Sequence, residues 1–497
     1  MSTGPSWNCF KNIYSSCGLP RRIRLKLMGA YCNIRFGGLL FLQEEPRVID
    51  GFQKAAKMNT QQGWFLAGST MRHVVVMTLS STIGLTFMFL IDAATLFWVA
   101  RMGVEQNMAA LGFAWTIQFF TLSGGIGLMI AAVALVSRAI GRGDREQARR
   151  HGSSAMVITV LVQVVLAAIV LWFREDILAL AGARGETLAI ASRFLLISVP
   201  SLPIMALGMV GSGILRAQGD ATRAMLVTIF AGLVAMALDP LFIFGFGLGV
   251  DGAAIVMNIA RSTTALLALY FVVRVHDLAA RPSLANVRKV APAFAAIAAP
   301  AMATQLSTPL GNYIATGFIA QFGDGAVAGW AVVGRLTVLA FGGIFALSGA
   351  VGGIFGQNYG AGQMDRVRST YRDALIYCLG YILLAWLALW SLRGVAIEAF
   401  QLGPEGAGVV LAFTNLAAGG FVFTGILFVS NAAFNNLGRP LWSTGFNWVR
   451  DGVLMFPLCW ALANALGATG VVYGQALAGV LAGMLAAATA WRFVARL

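Results

Sequence analysis

Two aspartates lie inside long apolar segments, where an ionisable side chain is unfavourable and is therefore a candidate for chemistry. Asp92 stands in FLIDAATLFW and Asp239 in MALDPLFIF. A charge at the centre of a membrane helix costs at least about 2.5–3.5 kcal/mol, so such groups commonly mark ion or substrate sites. A low dielectric favours the protonated carboxyl, which releases its proton when a cation or water arrives. We therefore predict that the pair couples to H⁺, with Na⁺ as the alternative ion because hard oxygen ligands suit it.

A structural explanation competes for the same aspartates. Arg261 lies ten residues into an apolar segment and is a candidate counter-charge for one of them. Arg335 stands at a similar depth in a later segment, where it either lines a cavity or donates hydrogen bonds to helix carbonyls. Asn258 and Asn312 are further candidates for a cavity or partner role. The sequence leaves these alternatives open.

A second pair of charges lies late in the chain. Arg450 and Asp451 are adjacent within another apolar segment. Because neighbouring residues on a helix point in different directions, the sequence predicts that each finds a separate partner.

The elements that carry these residues are predicted from composition and hydropathy. The chain of 497 residues is 58% hydrophobic and only 11% charged, whereas a soluble domain is roughly 25% charged. One membrane crossing needs about 20 mostly apolar residues. The predicted fold is all-α integral membrane, with twelve transmembrane helices. Their predicted spans are 72–98, 109–137, 151–173, 186–215, 222–246, 251–274, 291–320, 326–355, 367–391, 406–434, 442–463 and 468–491.

The positive charges behind the net charge of +15 are concentrated in alternate loops. Alternate loops between the predicted helices hold 15 and 4 Lys or Arg residues in total. Because cytoplasmic loops carry the excess of Lys and Arg, this alternation predicts an even number of spans with both termini in the cytoplasm. It also indicates that the charge sets topology and does not serve nucleic-acid binding.

An internal repeat divides the chain. SRAIGRGDREQARR (137–150) resembles GQNYGAGQMDRVRS (356–369), and LRAQGDATRAM (215–225) resembles FNNLGRPLWST (434–444), both at an offset of 219. The offset contains six predicted helices, so both copies keep one orientation and form two parallel six-helix repeats. Glycine at the repeated positions permits positive φ at the end of a helix. The repeated glycines are Gly141, Gly143, Gly219, Gly360, Gly362 and Gly438.

Four parts follow from the repeat. They are a basic cytoplasmic tail (1–70), a first lobe of helices 1–6 (71–275), a cytoplasmic linker (276–290) and a second lobe of helices 7–12 (291–497). The tail holds nine Lys or Arg residues and is interpreted as disordered or lying on anionic lipid. A wrongly assigned start codon is the competing explanation. A cleaved signal peptide is disfavoured because the apolar stretch there is interrupted.

The chain resembles the multidrug and toxic compound extrusion (MATE) family over roughly residues 70–495. The motifs that carry the resemblance are IDAATLFWVARMG (91–103), SRAIGRGD (137–144), ILRAQGDATRAM (214–225), LDPLFIFGFGLGVDGAA (238–254) and GQNYGAG (356–362). Within the family it resembles the DNA-damage-inducible F-type branch, which is similar in carrying acids in the first and fifth helices, here Asp92 and Asp239. Ala235 and Met257 stand where some relatives have polar residues, which argues somewhat against sodium.

The resemblance implies a secondary antiporter that exports organic cations or other amphipathic drugs against H⁺ or Na⁺ by alternating access of two lobes. We expect no enzyme activity, no cofactor and no metal site. The expected partners are a small amphipathic or cationic substrate and the lipid bilayer of the bacterial inner membrane, without nucleic acid, and the expected state is a monomer. The alternative function is a flippase for lipid-linked oligosaccharide or another lipid-like substrate, since Arg261 and Arg335 suit a pyrophosphate.

Overall fold

A computed structural model describes residues 63–497 of the chain, which belong to one compact unit. Most of the predicted tail, residues 1–62, lies outside the described residues. In the described part, twelve helices are long and apolar enough to cross a membrane, as predicted. The first six are α1 (Thr70–Ala100), α2 (Gln106–Gly141), α3 (Arg145–Trp172), α4 (Gly185–Gln218), α5 (Ala221–Gly245) and α6 (Gly249–Val275). The last six are α7 (Leu284–Ala320), α8 (Asp324–Gly360), α9 (Met364–Ala399), α10 (Pro404–Leu437), α11 (Pro440–Leu466) and α12 (Ala468–Ala495).

Most helices extend past their predicted ends. α2 continues through Arg138, and α7 begins before Arg288. Hydropathy stops at the first charges, whereas the hydrogen bonds of a helix continue beyond the hydrocarbon. The segment 174–185 was predicted as a loop but contains a short helix, Arg174–Leu180. That prediction is wrong because polar residues end a hydropathy signal without ending a helical backbone.

The repeated glycines fall into two groups. Positive φ angles of 74°, 102°, 72° and 94° occur at Gly143, Gly219, Gly362 and Gly438. The remaining pair, Gly141 and Gly360, forms the last residues of α2 and α8 and keeps helical backbone. At this pair, glycine allows a close helix crossing and not a positive φ.

We call α1–α6 the first lobe and α7–α12 the second lobe. The two lobes are in extensive contact, because α2 packs against α7 and α8, and α1 packs against α8. At one end of the bundle, the first helix of each lobe packs into the core of the other lobe. Val74 and Met77, near the start of α1, belong to the core of the second lobe. Val290 and Phe294, near the start of α7, pack into the core of the first lobe. Each lobe therefore shares one helix with its neighbour.

We call the end of the bundle where α1 begins and α12 ends the tail side, and the opposite end the far side. On the tail side, α2 and α8 cross with almost no side chains between them. A Cβ atom on Gly141 would overlap the carbonyl oxygen of Gln357, and one on Gly360 would overlap that of Arg138. The repeat offset of 219 relates both glycines and both carbonyls. The crossing is therefore a pseudo-symmetric contact that requires glycine.

Side chains at the same crossing clamp the lobes together. The Arg138 guanidinium donates to the backbone carbonyls of Asn435 and Asn436, at the end of α10, at 3.1 and 2.9 Å. Gln357 Nε2 donates to the carbonyl of Ala217, at the end of α4, at 2.6 Å. The offset of 219 also relates Ala217 to Asn436. The tail side is thus closed by two equivalent clamps, one from each lobe.

The segment before α1 is tied to the second lobe. Phe65 is fully buried, and its amide donates to Gln357 Oε1 at 3.0 Å. Arg366 donates to the carbonyls of Phe65 and Gly68 at 2.6 and 2.9 Å. The start of α1 is therefore fixed to the second lobe by hydrogen bonds, whereas the far-side half of the helix packs against α5 in the first lobe.

Candidate functional site

α1 and α5 run side by side in the same direction and form a seam within the first lobe. A Cβ on residue 232 would overlap the Ile91 side chain, so glycine at this position allows the two helices to approach closely. Three contacts follow one another toward the far side: Gly84 with Met225, Gly232 with Ile91, and Asp239 with Thr95.

Asp239 is buried at the far-side end of this seam, with 1% of its surface exposed. The Thr95 hydroxyl donates to Asp239 Oδ2 at 2.6 Å. Within residues 63–497, no cationic side chain forms an ion pair with this carboxylate. The backbone changes to a π-helical turn at Leu241–Gly245, directly after Pro240, because proline cannot supply the next helical hydrogen bond.

Asp92 precedes Thr95 by one turn of α1. Its side chain is partly buried, and among the described residues it has neither a hydrogen bond nor a direct ion pair. The charge of Arg261 acts on it through space. Residues three apart share a helix face, so Asp92 and Asp239 lie within about one turn, roughly 5 Å, of each other along the helix axis.

Arg261 is held by α4 and not by an aspartate. Its Nη1 donates to the Ser198 carbonyl at 2.9 Å and to the Ser201 hydroxyl at 2.8 Å. Its Nη2 donates to Gln118 Oε1 at 2.6 Å. The guanidinium thus links α6 to α4 and α2, and it reaches Asp92 only through its field.

A break in α4 explains these contacts. The helix contains a 3₁₀ turn at Val199–Ser201, and Pro200 and Pro203 remove two backbone donors. Asn258 Nδ2 donates to the Ile197 carbonyl at 2.8 Å, beside the carbonyl that Arg261 occupies. Both predicted candidates on α6 therefore satisfy groups at the break, and the two prolines were the sequence signal that could have indicated this.

Among the described residues, neither second-lobe candidate forms a hydrogen bond or ion pair with the seam. Asn312 is exposed, and its Oδ1 accepts a hydrogen bond from Gln475 Nε2 of α12 at 3.5 Å. Arg335 is also exposed, and it has no hydrogen bond or ion pair with any residue that the structure describes. Arg335 thus differs from Arg261, whose donors are occupied.

A buried ion pair on α11 corrects the sequence prediction. Arg450 and Asp451 are 6% and 2% exposed and pair with each other through Nε and Nη2, both at 2.8 Å from carboxylate oxygens. Arg450 Nη2 also donates to Thr308 of α7 at 3.1 Å. The prediction of separate partners is wrong, because the long arginine side chain curls back within the π-helical turn Val449–Leu454.

The two lobes therefore offer different chemistry. The first lobe holds two carboxylates, Asp92 and Asp239, at the far-side end of a close helix seam, and neither has a direct counter-charge in the part of the chain that the structure describes. Such groups bind a proton or a cation more readily than a carboxylate fixed to arginine. The second lobe presents Arg335, a cation without a partner among residues 63–497, and a neutralised pair.

Comparison with known proteins supports a common architecture. The MatE family model matches residues 80–241 and 300–461, once in each lobe. The chain is 26% identical over 420 residues to the FAD transporter of Shewanella oneidensis, which covers 83% of this chain and 92% of the relative. It is 25% identical over 399 residues to the multidrug export protein MepA of Staphylococcus aureus, covering 77% and 85% of the two chains.

The fold is also similar to a solved structure. A crystal structure of a variant of the Vibrio cholerae MATE transporter VcmN superimposes with a TM-score of 0.81 and 26% identity, over 86% of this chain and 97% of that chain. Because the family model covers more than half of the sequence, in both repeats, this chain belongs to the MATE family of membrane transporters and is not an enzyme.

Proposed function

We propose that the protein is a cation-coupled antiporter that exports amphipathic compounds by alternating access of its two lobes. The observation that carries the proposal is the Asp239 carboxylate, buried beside the Thr95 hydroxyl with no cationic partner among the described residues. An uncompensated charge in a low dielectric is unstable, so this group requires a bound proton or cation. Loading and unloading that ion supplies the coupling step.

α1 provides the link between the ion site and the opening of the lobes. Its far-side half carries Asp92 and Thr95 against α5, whereas its start is fixed to the second lobe. The Thr70 hydroxyl, at the first residue of α1, donates to Asp373 of α9. A change in ion occupancy on the seam therefore acts on a helix that both lobes hold.

The clamps at Arg138 and Gln357 support an assignment of the conformational state. They join the lobes on the tail side, where the Lys- and Arg-rich loops also lie. By the positive-inside rule this side faces the cytoplasm, so both termini are cytoplasmic and the closed end is the inner one. We assign the state as outward-facing, in the cytoplasmic membrane of a bacterium. One chain holds both lobes, so we propose a monomer.

Two relatives guide the substrate class. One is described as a multidrug export protein and another as a FAD transporter, and both kinds of cargo are amphipathic organic molecules. The flippase alternative relied on two free arginines. The Arg261 guanidinium donates hydrogen bonds to Ser198 at the break in α4 and to Gln118 of α2. Arg335 is then the one arginine of the two that could bind a pyrophosphate, which makes the flippase alternative less favourable.

Dye uptake into inverted membrane vesicles, which corresponds to export from the cell, tests the proposal. With an imposed proton gradient, transport of a fluorescent amphipathic dye should be lost in Asp92→Asn and in Asp239→Asn, because neither amide exchanges a proton or carries the charge that binds a cation. Asp324→Asn is the matched control, since Asp324 is exposed at the far-side start of α8. Repeating the assay with a sodium gradient distinguishes the coupling ion. Wild-type transport rates in both site variants would refute the proposal.

A further inference from the structure

The α7–α8 hairpin places two exposed side chains at nearly one depth. Trp330 Nε1 of α8 donates to Thr316 Oγ1 of α7 at 3.1 Å, which fixes how the antiparallel helices align. Counting back along α7 and forward along α8 from this bond sets Tyr313 opposite residue 333. Arg335 is two residues further along, roughly 3 Å at the rise of an α-helix.

Helix periodicity shows which way both side chains turn. Arg335 precedes Gly353 by 18 residues, or five turns, and a Cβ on Gly353 would lie 2.8 Å from the Arg216 carbonyl of the first lobe. Tyr313 follows Met302 by 11 residues, close to three turns, and Met302 packs against Gly127 of the first lobe. Both residues thus continue faces that contact the first lobe nearer the tail side.

These helix faces pack against the first lobe toward the tail side and are exposed toward the far side. Tyr313 is 78% exposed, and Arg335 is exposed without a partner among the described residues. An arginine inside a membrane segment is strongly disfavoured against lipid and turns to water or a cavity. The two side chains therefore line the gap between the lobes on the far side.

Asp92 of the first lobe lies at a similar depth. Arg335 is 11 residues from the far-side end of α8, and Asp92 is 8 residues from that of α1, roughly 16 and 12 Å at the helical rise. Asp92 is partly exposed. Arg335 and Tyr313 on the second-lobe side of the gap therefore lie at about the depth of the α1–α5 seam in the first lobe.

We propose that Arg335 and Tyr313 form a subsite for the acidic group and the aromatic ring of an amphipathic anion, such as an aromatic phosphate or nucleotide. The guanidinium fork matches phosphate and carboxylate oxygens in pairs, and the tyrosine ring stacks on a flat heterocycle. This deepens the proposed function by naming a substrate class, and it rests on transport through the gap between the lobes.

Equilibrium binding to the purified full-length protein tests the subsite without any ion gradient. The probes are flavin mononucleotide and riboflavin, which share one fluorescent ring system and differ by a phosphate, with binding followed as a change in flavin fluorescence. The wild-type protein should bind the phosphorylated flavin more tightly. Arg335→Gln should weaken its binding about tenfold or more, the effect of losing a charged hydrogen bond, and should leave riboflavin binding nearly unchanged.

Further variants distinguish loss of the Arg335 charge from a general defect in folding. Arg335→Lys should retain part of the preference for phosphate, and Tyr313→Leu should weaken both flavins alike. Arg393→Gln is the matched control, because Arg393 is partly exposed near the far-side end of α9, where it donates to the Trp390 carbonyl of its own helix. Absence of flavin mononucleotide binding by the wild type, or equal losses of both flavins in Arg335→Gln, would overturn the proposal. Failure of the coupling variants in vesicles would leave these binding results intact, so the two proposals fail separately.

Discussion

Asp239 in the first lobe and Asp451 in the second are both almost completely buried, at 1% and 2% exposure. Asp451 accepts two hydrogen bonds from the guanidinium of Arg450, its neighbour in the chain. Asp239 accepts one hydrogen bond from a neutral hydroxyl, that of Thr95. A paired carboxylate is held in one charge state by its partner, whereas an unpaired one depends on a proton or cation that arrives and leaves.

This difference distinguishes a carboxylate that stabilises the fold from one that can bind and release an ion. We interpret Asp451 as a fixed part of the second lobe, because its counter-charge also reaches Thr308 of α7. Asp239 is the better candidate for exchange, since nothing cationic among the described residues holds it. Burial alone therefore does not identify a coupling residue, and the identity of the partner decides.

The largest expected effect comes from breaking the paired site. Asp451→Asn leaves the Arg450 guanidinium buried without a counter-charge, so the free energy of unfolding should fall by about 3–5 kcal/mol. Asp239→Asn should change it by less than about 1 kcal/mol, because the amide oxygen still accepts from Thr95. Thermal unfolding of both variants in the same detergent measures the contrast.

A double variant controls for the loss of charge itself. Replacing the pair by apolar residues, as in R450M/D451L, removes both charges together and should restore most of the stability, as for other buried ion pairs. Equal destabilisation by Asp451→Asn and Asp239→Asn would contradict the distinction between the two sites.

A smaller effect is expected from the Thr95 hydroxyl. Thr95→Val keeps the shape of the side chain but leaves the Asp239 carboxyl without its donor, an unsatisfied group that costs about 1–3 kcal/mol. Folding stability should fall by that amount, and dye uptake into inverted vesicles should slow. Thr95→Ser retains the hydroxyl and is the control. Identical behaviour of the valine and serine variants would show that the hydrogen bond plays no part.

The smallest effect concerns a paired carboxylate at the membrane surface. Asp220, in the loop between α4 and α5, lies 2.8 Å from His276 Nε2 and 2.5 Å from Arg223 Nη1. Burial by itself raises the pKa of Asp220, but hydrogen bonds from His276 and Arg223 and the charge of Arg223 outweigh it and lower the pKa from 3.8 to about 2.

The pH dependence of this contribution has a definite sign. Because the folded-state pKa of Asp220 is depressed, its stabilisation is fully present above pH 3.8 and is lost as the pH falls through about 2. Asp220→Asn should therefore lower the free energy of unfolding near neutral pH by about 1 kcal/mol or less, since solvent screens this partly exposed pair, and the unfolding temperature should fall slightly. The deficit should shrink as the pH approaches 2.

Asp144→Asn is the matched control, because Asp144 caps α3 through the Gln147 amide and forms no ion pair in the described part of the chain. A deficit that is constant over this pH range would contradict the assignment.

Much of the fold could be predicted from the sequence. The twelve helices and their repeat follow from hydropathy and one constant offset, because lipid requires long apolar helices whatever their neighbours. The two first-lobe aspartates could also be singled out, since an acid is conspicuous in an apolar segment. Helix ends and the short helix after α3 could not be placed, because hydropathy does not report backbone hydrogen bonds.

The pairing of charges was decided by the tertiary structure alone. Arg261 binds groups on α2 and α4 that lie far away in the chain, whereas Arg450 pairs with its own neighbour. The prolines of α4 indicate unsatisfied carbonyls but not which side chain reaches them, because the partner of a buried charge depends on which carbonyl or carboxylate the packed helices bring within about 3 Å. The amino-acid sequence determined that this chain crosses a membrane in two equivalent halves, and helix packing determined which of its charges remain without a partner.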